Sequence, residues 1–295
     1  MSFGLGFDEA LLTAAQWCSG HGRLIEIGAA ALALAAEIWR RRAHPAGRKA
    51  WRRAWSTNVL LLGCSLLLGE LLAPLLSPSL EAALSGESGL LGVIGLPFVA
   101  RVVAGLLLLD LINYLLHVAL HRWPLLWRLH QVHHSDAAMN ASTHFRQHPL
   151  QSLLIIAGQL PLLYALGIPA VSWVLLGVLA LVVQLWQHAE GTTGRRPDRW
   201  LSPVLITPSL HRVHHHPERA RHDSNYGNVF SFWDRLCGTL IAAPPEPAAV
   251  GLRDWTGDTA AGVVSVLKMP FVAPPATTAA PSAQALVSQR RKRHN

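Results

Sequence analysis

The feature that most restricts this chain is a set of apolar runs as long as a bilayer is thick. A spanning helix needs about 20 mostly apolar residues. Residues 57–76, TNVLLLGCSLLLGELLAPLL, meet that length with Glu70 as the one interruption. Residues 102–120, VVAGLLLLDLINYLLHVAL, meet it with polar groups toward the end. Residues 150–166 and 170–187 form an apolar pair divided at GIPA, where Gly167 and Pro169 turn the chain. That pair reads as two spans or as a re-entrant hairpin. Residues 24–39 read as a weaker first span carrying Glu26 and Glu37.

Composition agrees. The chain is 51% hydrophobic and 14% charged, with a mean hydropathy of +0.29, whereas a soluble domain carries about 25% charged residues. The expected fold class is therefore all-α: an integral membrane helical bundle of about four to five apolar helices with a cytosolic, histidine-rich helical cap. Three regions are expected. Residues 1–96 hold N-terminal membrane helices and a basic loop, 97–242 hold the histidine boxes, and 243–295 form a cytosolic, partly disordered tail. The tail is rich in Ala, Pro and Thr and lacks apolar periodicity over 273–289, so it reads as mobile.

Charge sets the orientation. The net charge of +8 comes largely from arginines beside the apolar runs, which favours a membrane face over nucleic acid as partner. The loop WRRRAHPAGRKAWRR, residues 39–53, holds Arg40, Arg41, Arg42, Arg48, Lys49, Arg52 and Arg53, so it is expected inside. The next loop, SPSLEAALSGESG, has neither Lys nor Arg and is expected outside. Counting spans from there places His117, His121 and His188 on the cytoplasmic face. The start, MSFGLGFDEALL, is acidic where a secretory signal is basic. Cys18, Cys64 and Cys237 are scattered, which suggests neither disulfides nor a thiolate metal site.

Thirteen of the 16 histidines lie between positions 117 and 222. His117 and His121 stand four apart. In LHQVHH, His130 stands three before His133 and four before His134, and LHRVHHHPE repeats that relation with His211, His214 and His215. Residues three and four apart share a helix face, so each box aims its imidazoles at one place. Thr207 and Pro208 read as N-cap and first helical residue of the third box, and Pro217 as its stop. Neutral imidazole suits iron, zinc or copper. A structural zinc takes four ligands, so these eight histidines point to two metals.

The three boxes resemble those of the fatty acid hydroxylase and sterol desaturase superfamily of membrane di-iron proteins. RQHP at 146–149, QHAE around His188 and DSNYGNVFSFWDRLCGT at 223–239 are similar to that family's flanking signatures, and the likeness covers about residues 100–240. It implies two iron ions, O2 as co-substrate, a lipid substrate and a membrane setting. It also implies His117, His121, His130, His133, His134, His188, His211, His214 and His215 as metal ligands. The family often continues QHAN where this chain has Glu190.

Asp110, Asn113, His148 and Asp223 are expected behind the ligands or along a substrate channel. Asp110 shares a helical stripe with Asn113, Tyr114, His117 and His121. A packing role against a neighbouring span is its alternative. His144, His216 and His222 have no box partner and are expected at the polar surface. Asp234 and Arg235 are expected to pair and pin the cap.

The implied activity is hydroxylation of an unactivated lipid C–H bond, with desaturation as a close variant. A membrane zinc-binding protein or hydrolase is the alternative of another class, weakened by the lack of HExxH. No HPGG element is present, so electrons are expected from a separate donor protein.

Overall fold

The computed structural model describes residues 2–43, 47–84, 89–190, 195–244 and 248–274. Every named element among them is helical. The long helices are α1 Ser2–Gly20, α2 Gly22–Ala43, α3 Arg48–Leu84, α5 Phe98–Arg122, α7 Pro149–Leu166 and α8 Ala170–His188. The short ones are α4 Leu90–Val93, α6 Pro124–His134, α9 Arg195–Leu201, α10 Pro208–His214, α11 Arg219–His222, α12 Phe232–Leu236 and α13 Val263–Lys268. A 3₁₀ turn, Ala141–Phe145, lies between α6 and α7.

Among the described residues, four helices are long and apolar enough to cross a membrane: Arg48–Leu76, Phe98–Arg122, Pro149–Leu166 and Ala170–His188. The pair divided at GIPA is thus two full-length helices. Backbone groups in hydrocarbon have no water to bond, so each run satisfies itself as a helix. The α3 span keeps almost all of its window outside the protein core, with Leu60, Leu67, Leu71 and Leu75 exposed as a lipid-facing ridge does.

The expected weaker span at 24–39 falls in α2, which is not among those four helices, and the carboxylate of Glu37 has a packing role there. Glu37 is buried and accepts from the indoles of Trp51 (2.9 Å) and Trp55 (2.8 Å) and from the Ala141 amide (2.7 Å). A buried charge is tolerated when its lone pairs are filled in this way. Helices α1 and α2 run on nearly as one rod. The His21 amide bonds the Trp17 carbonyl and the Ile25 amide bonds the His21 carbonyl across their junction.

At the end of the bundle away from the boxes, two glycines let backbones touch. Gly167 turns the chain between α7 and α8 at φ +63°. A Cβ on Gly89 would fall 2.0 Å from the Gly167 amide nitrogen, so neither position has room for a side chain. The core between α5, α7 and α8 is built from Leu109, Ile112, Leu163, Leu176 and Val183, with Val229 closing it from below.

Part of the expected tail is packed structure. Trp255, Ala260, Val266 and Met269 bury against Leu61 of α3 and Val132 of α6. The fully buried Arg146 clamps this layer: its guanidinium donates to the carbonyls of Val132 (2.9 Å) and Ala260 (2.5 Å), to Asn58 Oδ1 (3.2 Å) and to Ser135 Oγ (2.8 Å). The boundary expected at 243 therefore does not end the folded region. The apolar anchors of 248–274 follow no helix or strand period, which is why the segment looks featureless as sequence. Residues 275–295, with the RRKR run, lie outside the described residues.

Candidate metal centre

Four helices converge their ends on one place. Helix α5 contributes His117 and His121 from its last two turns. Helix α6 restarts at once with Pro124 in its first turn and presents His130, His133 and His134. Helix α8 ends on His188. Helix α10 is capped as its sequence predicts: the Thr207 hydroxyl accepts from the Leu210 amide (3.4 Å), Pro208 opens the helix, and His215 closes it. All nine of these histidines are buried.

They fall into two groups. In one, ligand nitrogens of His117, His121, His130, His134 and His214 lie within 4.8 Å of one another; in the other, those of His133, His188, His211 and His215 do. Within the first, His117 Nε2 is 3.0 Å from His130 Nε2. Within the second, Nε2 atoms are separated by 3.2 Å (His188 to His133), 2.9 Å (His211 to His188) and 3.1 Å (His215 to His211). Two nitrogens each ~2.0–2.1 Å from one ion stand about 2.9 Å apart at a right angle and about 3.3 Å apart in a tetrahedron. The observed spacings fall in that interval.

The ring nitrogens that complete the argument have no protein partner. His121 Nε2, His214 Nε2 and both nitrogens of His134 are buried and unbonded. Leaving a buried polar atom unpaired costs about 1–3 kcal/mol, a penalty that a bound metal removes. The residues present therefore fit two metal ions.

In five of the nine the opposite ring edge is held, while Nδ1 of His133, His134, His211 and His215 has no protein partner. Nδ1 donates to a carbonyl in His117 (Tyr226, 2.7 Å), His214 (Ser224, 2.7 Å) and His188 (Gln184, 2.7 Å). His130 Nδ1 meets Gln151 Oε1 at 3.1 Å and His121 Nδ1 meets Asp223 Oδ1 at 3.2 Å. With the proton fixed on Nδ1, the Nε2 lone pair points inward. Burial first, and neighbouring imidazoles second, push His130, His133, His134, His211, His214 and His215 far below the usual histidine range. They stay neutral, as ligands must.

Two cavities adjoin the cluster. A polar one of about 250 Å³ is bounded by His117, His130, His133, His188 and His211 together with a set of glutamines. A second, of about 540 Å³, runs between Leu109, Trp173, Leu176 and Leu181. Both are lined by Asn113, His144, Gln159 and Gln184, which form a shared wall. The larger volume is typical of a small-molecule or lipid-chain site, where ~300–1,000 Å³ is usual.

Other expected residues fall variously. Asp223 stands behind His121, and Asn113 sits on the cavity wall, bonded to Gln159 (2.5 Å). Asp110 does not reach a ligand. Its Oδ2 accepts from the Trp233 indole (3.0 Å) and the Phe230 amide (3.3 Å), which ties α5 to the segment leading into α12. His148 is also placed otherwise: it caps α7 through the Leu150 amide (3.2 Å) and bonds the Leu267 carbonyl (3.2 Å).

His222 is not a surface residue. It is buried, stacks on Trp127 at 5.0 Å and donates to the His216 carbonyl (3.0 Å). His144 is half-buried with an unbonded Nδ1, and burial pushes it down to about 4. Asp234 pins the cap without Arg235, by accepting from the amides of Tyr226 (2.7 Å) and Gly227 (2.8 Å) and from the Thr239 hydroxyl (2.7 Å). Glu190, the departure after His188, pairs with Arg41 at 2.5 Å.

Sequence reasoning missed Gln151, Gln184, Ser224 and Tyr226. Gln184 stands one helical turn before His188, a spacing that signals contact. Ser224 and Tyr226 act through backbone carbonyls, which no side-chain pattern reveals.

Residues 102–239 match the family model described as Fatty acid hydroxylase. The chain is 34% identical over 176 residues to the ornithine lipid hydroxylase of Rhizobium tropici, covering 59% of this chain and 51% of that protein. It is 37% identical over 129 residues to the human alkylglycerol monooxygenase, covering 44% and 28%. It is 30% identical over 140 residues to the mouse lathosterol oxidase, covering 47% and 44%. The chain thus spans about half, or less, of the length of these relatives. No solved structure matches it.

Proposed function

We propose that this chain, whose residues 102–239 match the fatty acid hydroxylase family model, is a membrane-embedded, O2-dependent di-iron enzyme that hydroxylates an unactivated C–H bond of a lipid. The observation that carries this reading is the pairing of nine buried histidines, in two groups, with an apolar cavity among the membrane helices. The similar proteins are named for ornithine lipids, alkylglycerols and lathosterol, so a lipid is the substrate class they share.

Bound iron would supply the reductive activation of O2 and the oxidation of the C–H bond. This chain's residues would do the rest. His117, His121, His130, His134 and His214 would hold one ion, and His133, His188, His211 and His215 the other. Tyr226, Ser224, Gln184, Gln151 and Asp223 would fix the rings so that their lone pairs already face the metals. The wall of Leu109, Trp173, Leu176 and Leu181 would keep water from the apolar chain of the substrate. Asn113, His144, Gln159 and Gln184 stand where that chain would pass from the larger cavity to the metals. The histidine end would face the cytoplasm and receive electrons from a separate donor protein.

The test is elemental analysis of anaerobically purified protein combined with turnover under isotopically labelled O2. Two irons per chain and label in a lipid hydroxyl are expected. Zinc in place of iron, with no label in any lipid, overturns the proposal.

A further inference from the structure

A third cavity lies apart from the histidines, where α2 meets α3. It measures about 220 Å³ and is lined by Ile38, Arg41, Arg48, Trp51 and Arg52. It shares no lining residue with the two cavities at the metal centre.

Its depth can be read from its neighbours. Along α2 the exposed side chains Leu32, Ile38 and Trp39 give way to Arg40. Along α3 the exposed Arg52 and Arg53 give way within two turns to exposed Val59 and Leu60. Both helices therefore leave the hydrocarbon at this level, and an exposed Trp is at home there. Lipid head groups occupy that layer.

Its charge is answered only in part. Arg41 lies over the Trp51 ring at 5.4 Å and is held by Glu190. Glu37, close by, already receives three donors. Arg53 pairs with Asp258. Among the described residues Arg48 and Arg52 have no carboxylate partner. Positive charge anywhere in the loop would orient the chain, but orientation does not require three guanidiniums around one cavity floored by an indole. Guanidinium groups bind phosphate oxygens in pairs, and basic pockets between membrane helices are suited to lipid head groups.

We propose that this cavity binds the phosphate of an anionic glycerophospholipid from the surrounding leaflet, at a site distinct from the one that takes the substrate. The lipid would bridge α2 and α3. Through Arg41 and Glu190 it would brace the chain two residues beyond His188.

The experiment uses the full chain in detergent with short-chain phosphatidylglycerol, short-chain phosphatidylcholine and inorganic phosphate as probes, read by native mass spectrometry and melting temperature. Saturable binding of phosphatidylglycerol at one molecule per chain, with a raised Tm, is expected. Arg48→Gln/Arg52→Gln should weaken it at least about tenfold, since each lost guanidinium removes a charge-assisted contact. Arg40→Gln/Lys49→Gln removes the same charge outside the cavity and should leave binding unchanged. Equal weakening by both pairs would reduce the site to diffuse charge and overturn the proposal. So would phosphatidylcholine binding as tightly, or inorganic phosphate displacing the lipid at equal concentration, which would mark a free-phosphate site. Wild-type protein without a saturable lipid overturns it whatever the variants do.

Discussion

In the proposed ligand set, the two nitrogens of one imidazole can take different tasks. In His117, His188 and His214 the outer nitrogen donates to a backbone carbonyl at 2.7 Å, and the inner one is left for a metal. Replacing one of the proposed ligands removes the inner bond. His133→Ala should lower metal content toward one ion per chain and abolish oxidation while membrane abundance holds; full loading and activity would remove His133 from the set. Asp223→Asn reaches the proposed metal site through His121, beside its contact with Arg219, so a loss of roughly 10–100-fold in metal affinity or activity is expected, measured by metal titration. Acid should act on the same residues. His130, His133, His134, His211, His214 and His215 are held far below the usual range by burial, so the unfolded chain takes up protons first as pH falls through about 6.5. Stability is complete above that value and declines below it. The Tm of chelator-treated protein should drop steadily between about pH 7 and about pH 5, and a flat profile would contradict the burial of these rings. The inner nitrogens were legible because helical spacing fixes which side chains share a face. The outer partners were not: Tyr226 lies 109 residues from His117 and contributes only its backbone. His222 was misjudged because it stands outside the boxes, while Trp127, on which it stacks, sits among them.

Among the elements, the spans were the easiest to read, because bilayer thickness dictates their length. Their limits came within a few residues of α5, α7 and α8; α3 runs further, to Arg48–Leu84. What holds the short helices of the cap to those spans was not readable. Asp110 lies in the middle of α5, where a carboxylate costs about 2.5–3.5 kcal/mol on insertion scales, and its partner Trp233 is 123 residues away. That cost is offset by joining the cap to the bundle. Asp110→Asn keeps an oxygen acceptor for Trp233 Nε1 and should retain metal content and Tm closely. Asp110→Leu leaves the Trp233 indole and the Phe230 amide unanswered, at about 1–3 kcal/mol, and should lower Tm and metal content together. Equal behaviour of the two variants in thermal melts would show that the bond does not couple cap to bundle. The segment from Ala248 onward teaches the same lesson. Its anchors Trp255, Val266 and Met269 pack on α3 and α6, yet irregular spacing hides them from any periodic reading.

At the scale of the whole molecule, one asymmetry organises everything else. The α3 start, the α5 end, the α7 start and the α8 end share the end of the bundle that holds the histidines and Arg146, and the glycine contact between residues 89 and 167 closes the other. The sequence foretold this, since every crossing between the arginine-rich loop at 39–53 and His188 had to return to the same side. By the positive-inside rule, the proposed orientation has the histidine end in the cytoplasm. Reporters for that orientation must be exposed in the fold. Ser135 and Ser224 stand close to the boxes but are buried, so cysteines there would stay silent on either side. Ala220, exposed on α11, and Val93, exposed at the far end of α4, are suitable. In a background with Cys18, Cys64 and Cys237 replaced by Ser, an impermeant maleimide added to intact cells should label Val93→Cys and spare Ala220→Cys. Permeabilising the cells should then expose Ala220→Cys. The reverse pattern would put the metal centre outside, where the loop's arginines could not have directed it and a cytoplasmic electron donor could not reach it.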